Sequence, residues 1–440
     1  MLLYLESLGC ARNQVDSENM LAQLEAADIQ VTHDPAQAEV IVVNTCSFIQ
    51  AAADESIDTI LGLARFKQEG RCRKLIVTGC LPERYRDPIM ESLPEVDLFL
   101  GTGAYDHIVA AVQDEMAAGG CLLPDPDGID VLRPAAQHPL APHAAYLKIA
   151  EGCSRRCTYC IIPKLRGKQK SRPLQTILSE ARGLIAKGAR ELTLVSQETT
   201  AYGLDLTPPM DLAQLLAQLA AQDPRVWIRL MYGHPESLRP EVLATMAAHG
   251  NICAYLDIPI QHASDRVLKR MGRHYTAQEL HRLFDSVRRA VPGVVLRTTV
   301  LVGFPGETKA DFEALKQFIG QVEFDHLGVF TYSDADDLPS HLLGRHVAAR
   351  TAQARLDELM AWQRDISAQN LTRYLGRTMD VLIEGREEDG FWVGRTQYQA
   401  PEVDGVTFVK PTEKVALQTG RMIQVHIKES MDYDLVAEVE

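Results

Sequence analysis

The sequence predicts an α/β protein of three parts: an N-terminal domain on a parallel sheet, a central partial barrel of six strand–helix units, and a small C-terminal antiparallel β-barrel. Three observations carry this expectation. Short apolar runs alternate with amphipathic helical stretches over residues 1–118 and again over 145–374. The stretch 119–144 holds Pro124, Pro126, Pro134, Pro139 and Pro142 without helical or strand periodicity and reads as a linker. Over residues 375–440 the pattern shortens to alternating runs between glycine-containing turns. A length of 440 residues fits about three domains, and 46% apolar residues suffice for their cores.

In the first part, Leu2–Cys10, Glu39–Cys46 and Lys74–Cys80 read as buried strands, with helices over Asp16–Ala27 and Ala51–Gln68. Each run ends on a cysteine: Cys10, Cys46 and Cys80. Open parallel sheets place their ligand sites at the carboxyl ends of the strands, so these three thiols are expected to meet at one rim. Singly, each would read as a small buried hydrophobe. Their shared position makes them candidate ligands of an iron–sulfur cluster with one open iron. Cys72, between two arginines, Cys121, at the start of a loop, and Cys253 lack that placement and are read as non-ligands. His138 and His143, isolated in the linker, are read as solvated.

The central part offers six strands in series: Ala145–Ala150, Glu191–Ser196, Arg225–Tyr232, Cys253–Ile260, Val295–Gly303 and His326–Ser333. Helical stretches separate them over Gln175–Lys187, Asp211–Ala221, Ser237–His249, Ala277–Val291 and Lys309–Ile319. Six units with right-handed crossovers give a partial TIM-like barrel, open on one side, with its chemistry at the carboxyl mouth. The loop after the first strand, EGCSRRCTYC, carries Cys153, Cys157 and Cys160 within eight positions. A cubane normally takes four thiolates, so three leave one iron open to a small molecule. A zinc knuckle would need a fourth Cys or His in register, and none follows nearby. Ser196 and Gln197, Gln261 and His262, and Arg297 stand at or near the same mouth; each either holds a cofactor or satisfies loop backbone. The Gly303–Gly306 turn reads as ordinary punctuation.

Arg155, Arg156, Lys164, Arg166, Lys168, Lys170 and Arg172 form a basic run with no acidic residue. Charge balance against thiolates and a bound carboxylate is favoured there over nucleic-acid binding, because the chain around it carries a net −14. That net charge argues against a protein that wraps nucleic acid and suits a basic protein partner, with plain solubility as the other reading. After a long helix over 346–374, the C-terminal strands fall near Thr378–Gly385, Gly390–Tyr398, Val406–Lys410 and Met422–Lys428. Residues 376–440 hold seven Lys and Arg against thirteen Asp and Glu, a net of −6, where an RNA-binding barrel should be basic. The N-terminus, MLLYLESLGC, has no basic leader and its apolar portion is broken by Glu6, so neither signal peptide nor membrane span is expected. Nine cysteines then suggest metal or redox chemistry in the cytoplasm.

The spacing of Cys153, Cys157 and Cys160, with aromatic Tyr159 before the third, resembles the radical S-adenosylmethionine enzymes. Over nearly its whole length the chain is similar to the methylthiotransferases, through SLGCARNQVDSE around Cys10, EGCSRRCTYCIIPKLRG, SRP at Ser171–Pro173, LDIPIQHAS, LRTTVLVGFPGE and PEVDG at Pro401–Gly405. The resemblance implies a C-terminal barrel of the TRAM type, two [4Fe-4S] clusters, and S-adenosylmethionine as both radical source and methyl donor. It assigns Cys153, Cys157 and Cys160 to the radical-generating cluster and Cys10, Cys46 and Cys80 to a sulfur-holding cluster. Tyr159, Ser196, Gln261 and Arg297 are the candidate cofactor contacts. SLGC followed by VDSE, and LGTGAYDHI at Leu100–Ile108, resemble the branch that modifies the β-carbon of an aspartate in a basic small-subunit ribosomal protein, protein twelve. The transfer-RNA-modifying branch is the alternative, and a non-catalytic iron–sulfur carrier is another. A flavodoxin-like reductant is implied as partner. Arg12 stands where the resemblance leads one to expect lysine.

Overall fold

The computed structural model describes residues 1–440 except 114–115, 117–119, 130, 132–137, 389, 412–414 and 440. Pro134 and the junction at 118/119 therefore lie outside the described residues. The chain forms two compact units: one of residues 1–140, 146–156 and 160–180, the other of residues 141–145, 157–159 and 181–440.

The first unit is built on six parallel strands: β1 (Leu2–Ser7), β2 (Gln30–Val31), β3 (Val40–Thr45), β4 (Lys74–Gly79), β5 (Leu98–Leu100) and β6 (Gly120–Leu122). Their order is β2-β1-β3-β4-β5-β6. β3 and β4 are buried at every position, as expected of strands covered on both faces, and their Val and Ile side chains feed two apolar layers. One layer packs Ile41, Val43, Leu75 and Val77 under Gln50–Ala64; the other packs Val40, Val42 and Ile76 under Ala11–Ala26. Both helices differ from the expected bounds: the first begins five residues earlier, directly after Cys10, and the second stops at Ala64. β2, β5 and β6 escape a sequence reading because two or three residues show no period. β6 lies inside the stretch read as linker, where backbone pairing with β5 makes the strand and places Cys121 opposite Phe99.

β7 (Ala144–Lys148) begins in the second unit and ends in the first, where β8 (Ala150–Glu151) and β9 (Lys170–Ser171) form a short antiparallel pair. The second unit carries β10 (Glu191–Val195), β11 (Trp227–Leu230), β12 (Ile252–Asp257), β13 (Val295–Val302) and β14 (His326–Thr331), parallel and in sequential order. Helices over Leu212–Ala220, Pro240–Ala248, Ala277–Ala290 and Lys309–Val322 make the crossovers. The last two start with capping boxes, Thr276 with Glu279 and Thr308 with Asp311.

Helix Ala349–Leu371 leads to five strands, β15 (Thr378–Arg386), β16 (Trp392–Arg395), β17 (Thr407–Lys410), β18 (Met422–Ser430) and β19 (Leu435–Val439), closed in the order β15-β16-β17-β19-β18. Four pairings are antiparallel; the fifth, β17 with β19, is parallel. Closure removes the open edges that a sheet of this size would otherwise expose. Leu382 and Ala400 of the barrel pack on Trp227, Cys253, Tyr255 and Val295 of the core strands.

Candidate active site

The three strand-end cysteines come together in the first unit. Each lies just beyond its strand rather than in it. Cys10 precedes helix Ala11–Ala26, its carbonyl accepting the amides of Asn13 at 2.8 Å and Gln14 at 3.0 Å. Cys46 donates its N–H to Ser56 Oγ at 3.1 Å and accepts that hydroxyl on its carbonyl at 2.8 Å. Cys80 opens a short helix, and its carbonyl accepts Ser47 Oγ at 2.8 Å. Two left-handed glycines permit this approach: a Cβ on Gly9 would stand 2.6 Å from Cys46 Cβ, and one on Gly79 would stand 2.5 Å from Asn44 Oδ1.

The thiols share one electrostatic neighbourhood. Burial pushes Cys46 up to about 11, helped by the negative charge of Cys80 and Cys10. Burial raises Cys80 too, against the pull of the Arg166 cation. At Cys10 burial also acts upward, but Arg12, Arg166 and the amides of Asn13 and Arg12 outweigh it and the thiol moves down. Among the described residues, no group of three or more His, Cys, Asp or Glu is arranged to hold a metal ion.

Beside the thiols lies a buried charge network that sequence reading missed. Arg166 donates to Asp16 Oδ2 at 2.6 Å, to Asn13 Oδ1 at 3.0 Å and to Cys80 Sγ at 3.6 Å. Lys148 pairs with Asp16 and, at 2.8 Å, with Glu151. Arg172 pairs with Glu180. Two members of the basic run, Arg166 and Arg172, are thus paired with buried carboxylates, in addition to the thiols the sequence reading invoked. The signal was present, since Asp16 lies in VDSE and Arg166 in PKLRG, but nothing linear connects positions 150 apart.

The EGCSRRCTYC loop is divided between the units. Cys153, buried, and Cys160, half-buried, belong to the first, where the Cys153 amide donates to Gly167 O at 3.0 Å. Cys157 and Tyr159 belong to the second. There Thr158 N donates to Met271 O at 3.0 Å and its hydroxyl to Arg270 O at 2.9 Å. The Tyr159 hydroxyl accepts Arg273 Nη2 at 2.6 Å and Nε at 3.1 Å, while its ring meets Phe304 edge-on at 6.2 Å. Arg273, which no motif flagged, is itself in contact with His234.

Ser196, directly after β10, is fully buried, and Gln197 follows it half-buried. Gln261, with φ +68°, bridges to Val300 through its backbone, and neighbouring His262 accepts the amides of Ala263 and Ser264, each at 2.9 Å. Arg297 sits toward the start of β13, where Asp257 at 3.0 Å and Asp404 at 3.5 Å take up its charge. Its guanidinium therefore ties the core to the C-terminal barrel, a role visible only once PEVDG is folded against it. Of the other cysteines, Cys72 donates to Lys74 O at 3.4 Å, Cys121 lies in β6 and Cys253 in β12 beside Arg229.

Comparison with known proteins agrees with this architecture. Residues 2–101 match the family described as Uncharacterized protein family UPF0004, 147–319 the Radical SAM superfamily, and 375–439 the TRAM domain. Among solved structures, the radical S-adenosylmethionine methyltransferase TsrM of Kitasatospora setae superposes with a TM-score of 0.60 at 14% identity, covering 83% of this chain and 89% of that one. The cobalamin-dependent S-adenosylmethionine radical enzyme OxsB gives 0.52 at 13% identity, over 83% of this chain and 56% of that one. Fold and cysteine loop together define the class, a radical S-adenosylmethionine enzyme with an added N-terminal domain and TRAM barrel.

Curated relatives narrow it. A "ribosomal protein uS12 methylthiotransferase RimO" of Desulfosudis oleivorans is 53% identical over the full length of both chains. Proteins of the same name from an Anaeromyxobacter species and from Lachnoclostridium phytofermentans are 45% and 42% identical, over 99% and 100% of this chain and 93% and 100% of theirs. The chain belongs to the RimO family of methylthiotransferases, enzymes that transfer sulfur-containing groups. Membership brings S-adenosylmethionine and a [4Fe-4S] cluster.

Proposed function

We propose that this enzyme inserts a methylthio group at the β-carbon of an aspartate of ribosomal protein uS12, using two [4Fe-4S] clusters. Cys153, Cys157 and Cys160 hold the cluster that binds S-adenosylmethionine, and Cys10, Cys46 and Cys80 hold the second. The convergence of those last three thiols beyond β1, β3 and β4 is the observation that carries the reading. Each iron of a cubane takes one thiolate, so three thiols that sense one another's charge suit a cluster with one open iron. Bound at these sites, the clusters and S-adenosylmethionine supply what acid–base side chains cannot: hydrogen removal from an unactivated C–H bond, a sulfur atom and a methyl group.

The chain's own residues hold and orient. Arg12 and Arg166 offset thiolate charge at the rim. Arg273 and Phe304 fix Tyr159 beside the cluster loop. Ser196 and Gln261, beyond the carboxyl ends of β10 and β12, and Arg297 on β13 are the remaining candidates for contact with S-adenosylmethionine. The relatives' name supports uS12 as substrate, and so does charge, since an enzyme at −14 with a TRAM segment at −6 suits a basic protein better than RNA. We place it in the cytoplasm with its substrate, served by a flavodoxin-like reductant; among the described residues no helix is long and apolar enough to cross a membrane. We divide the chain at 1–118, 119–144, 145–374 and 375–440, a division the three family matches support.

Cys157→Ala is expected to abolish 5′-deoxyadenosine formation, and Cys46→Ala to spare cofactor cleavage but block sulfur insertion. Mass spectrometry of small-subunit proteins from cells lacking the enzyme is expected to show the methylthio mass missing from uS12. Fully methylthiolated uS12 made by Cys46→Ala would refute the reading, and a missing transfer-RNA modification instead would replace it.

A further inference from the structure

We infer that Arg166 is a positioning residue for the cluster held by Cys10, Cys46 and Cys80, donating an N–H to Cys80 Sγ and thereby raising that cluster's reduction potential. The inference rests on the proposed second cluster. Arg166 is 2% exposed, and its Nη2 stands 3.6 Å from Cys80 Sγ. The rest of the guanidinium is fixed: Asp16 Oδ2 at 2.6 Å, Asn13 Oδ1 at 3.0 Å and Glu151 Oε1 at 3.6 Å hold it, and the Tyr105 ring lies 5.8 Å from its centre.

Asp16 and Glu151 face Lys148 as well as Arg166, two carboxylates against two cations. Within this set of four the two charges of each sign balance, and the guanidinium also turns one N–H toward sulfur. Asn13 and Asp16 lie on the helix that begins directly after Cys10, so one rigid element sets both a ligand and the guanidinium that serves another ligand. A planar fork presents its donors to carboxylate and sulfur in fixed directions, whereas a lysine ammonium on its flexible stem is not pre-organised to do so. Hydrogen bonds to cluster sulfurs and nearby positive charge raise the potential, and such outer partners also hold ligands in orientation.

The test uses the full chain carrying C153A, C157A and C160A, reconstituted anaerobically so that iron remains only at the Cys10, Cys46 and Cys80 site. In that background R166K keeps the buried charge but loses the fork. Retained iron with an about tenfold lower reduced-to-oxidised ratio by electron paramagnetic resonance at fixed solution potential is expected, equal to about 59 mV for a one-electron couple. R166Q is expected to lower it further. An R166K ratio equal to the background's overturns the inference. Iron lost from R166K supports it if the melting temperature of the metal-free chain is unchanged, and counts against it if that temperature falls. Absence of iron from the background itself defeats the two-cluster reading instead.

Discussion

Glu191 shows how strongly one buried residue can bind the fold together. It is fully buried at the start of β10 and accepts from Arg229 of β11 and, at 2.7 Å, from Arg395 of β16. Although burial acts upward on its carboxyl, the two guanidinium groups hold it down at about 2, from an ordinary 4.5. A depressed carboxylate contributes stability that is complete above about pH 4.5 and is lost as pH falls toward 2. Glu191→Gln leaves two buried cations underpaired, and a loss of about 3–5 kcal/mol is expected in denaturant melts at pH 7. The deficit should shrink in melts taken progressively below pH 4.5. Gly79 makes a second residue-level case: with φ +97° and Asn44 Oδ1 2.5 Å from a built Cβ, Gly79→Ala must displace the backbone that presents Cys80. The iron-to-chain ratio of the reconstituted C153A/C157A/C160A background is expected to fall severalfold with that change.

Between elements, Asp404 does for the C-terminal barrel what Asp16 does for the cysteine rim. Its Oδ2 accepts Tyr255 OH at 2.6 Å and the Ala400 amide at 2.8 Å, while Arg297 and His326 stand 3.5 Å from Oδ1. The PEVDG turn is thereby anchored on β12, β13 and β14. Asp404→Ala is expected to speed proteolytic release of the C-terminal barrel severalfold, measured by limited digestion, while sparing 5′-deoxyadenosine formation. Most elements here were legible in the sequence: all six core strands and five helical stretches, Leu174–Ala186 and the four crossover helices, lie where apolar runs and the 3.6-residue period put them, within a few residues. β2, β5, β6, β8 and β9 were not, because a strand of two or three residues is too short to show a period and owes its existence to a neighbour's backbone; β19 was not picked out either.

Across the whole molecule, the sign of the charge bears on the partner. At −14, binding to a basic ribosomal protein is expected to weaken gently as salt is raised from 50 to 200 mM, whereas RNA binding would fall by orders of magnitude. A titration with purified uS12 and with transfer RNA in parallel checks this. The sequence by itself determined the three-part organisation, the six candidate cysteines and the kinship, because periodicity, spacing and motif identity are properties of the linear chain. Only the tertiary structure decided that Arg166 reaches Cys80, that Asp16 and Glu151 offset its charge together with that of Lys148, and that Arg297 serves the core–barrel joint. Those pairings join residues far apart in the chain, and a buried charge selects its partner by desolvation and distance, neither of which exists until the backbone has closed.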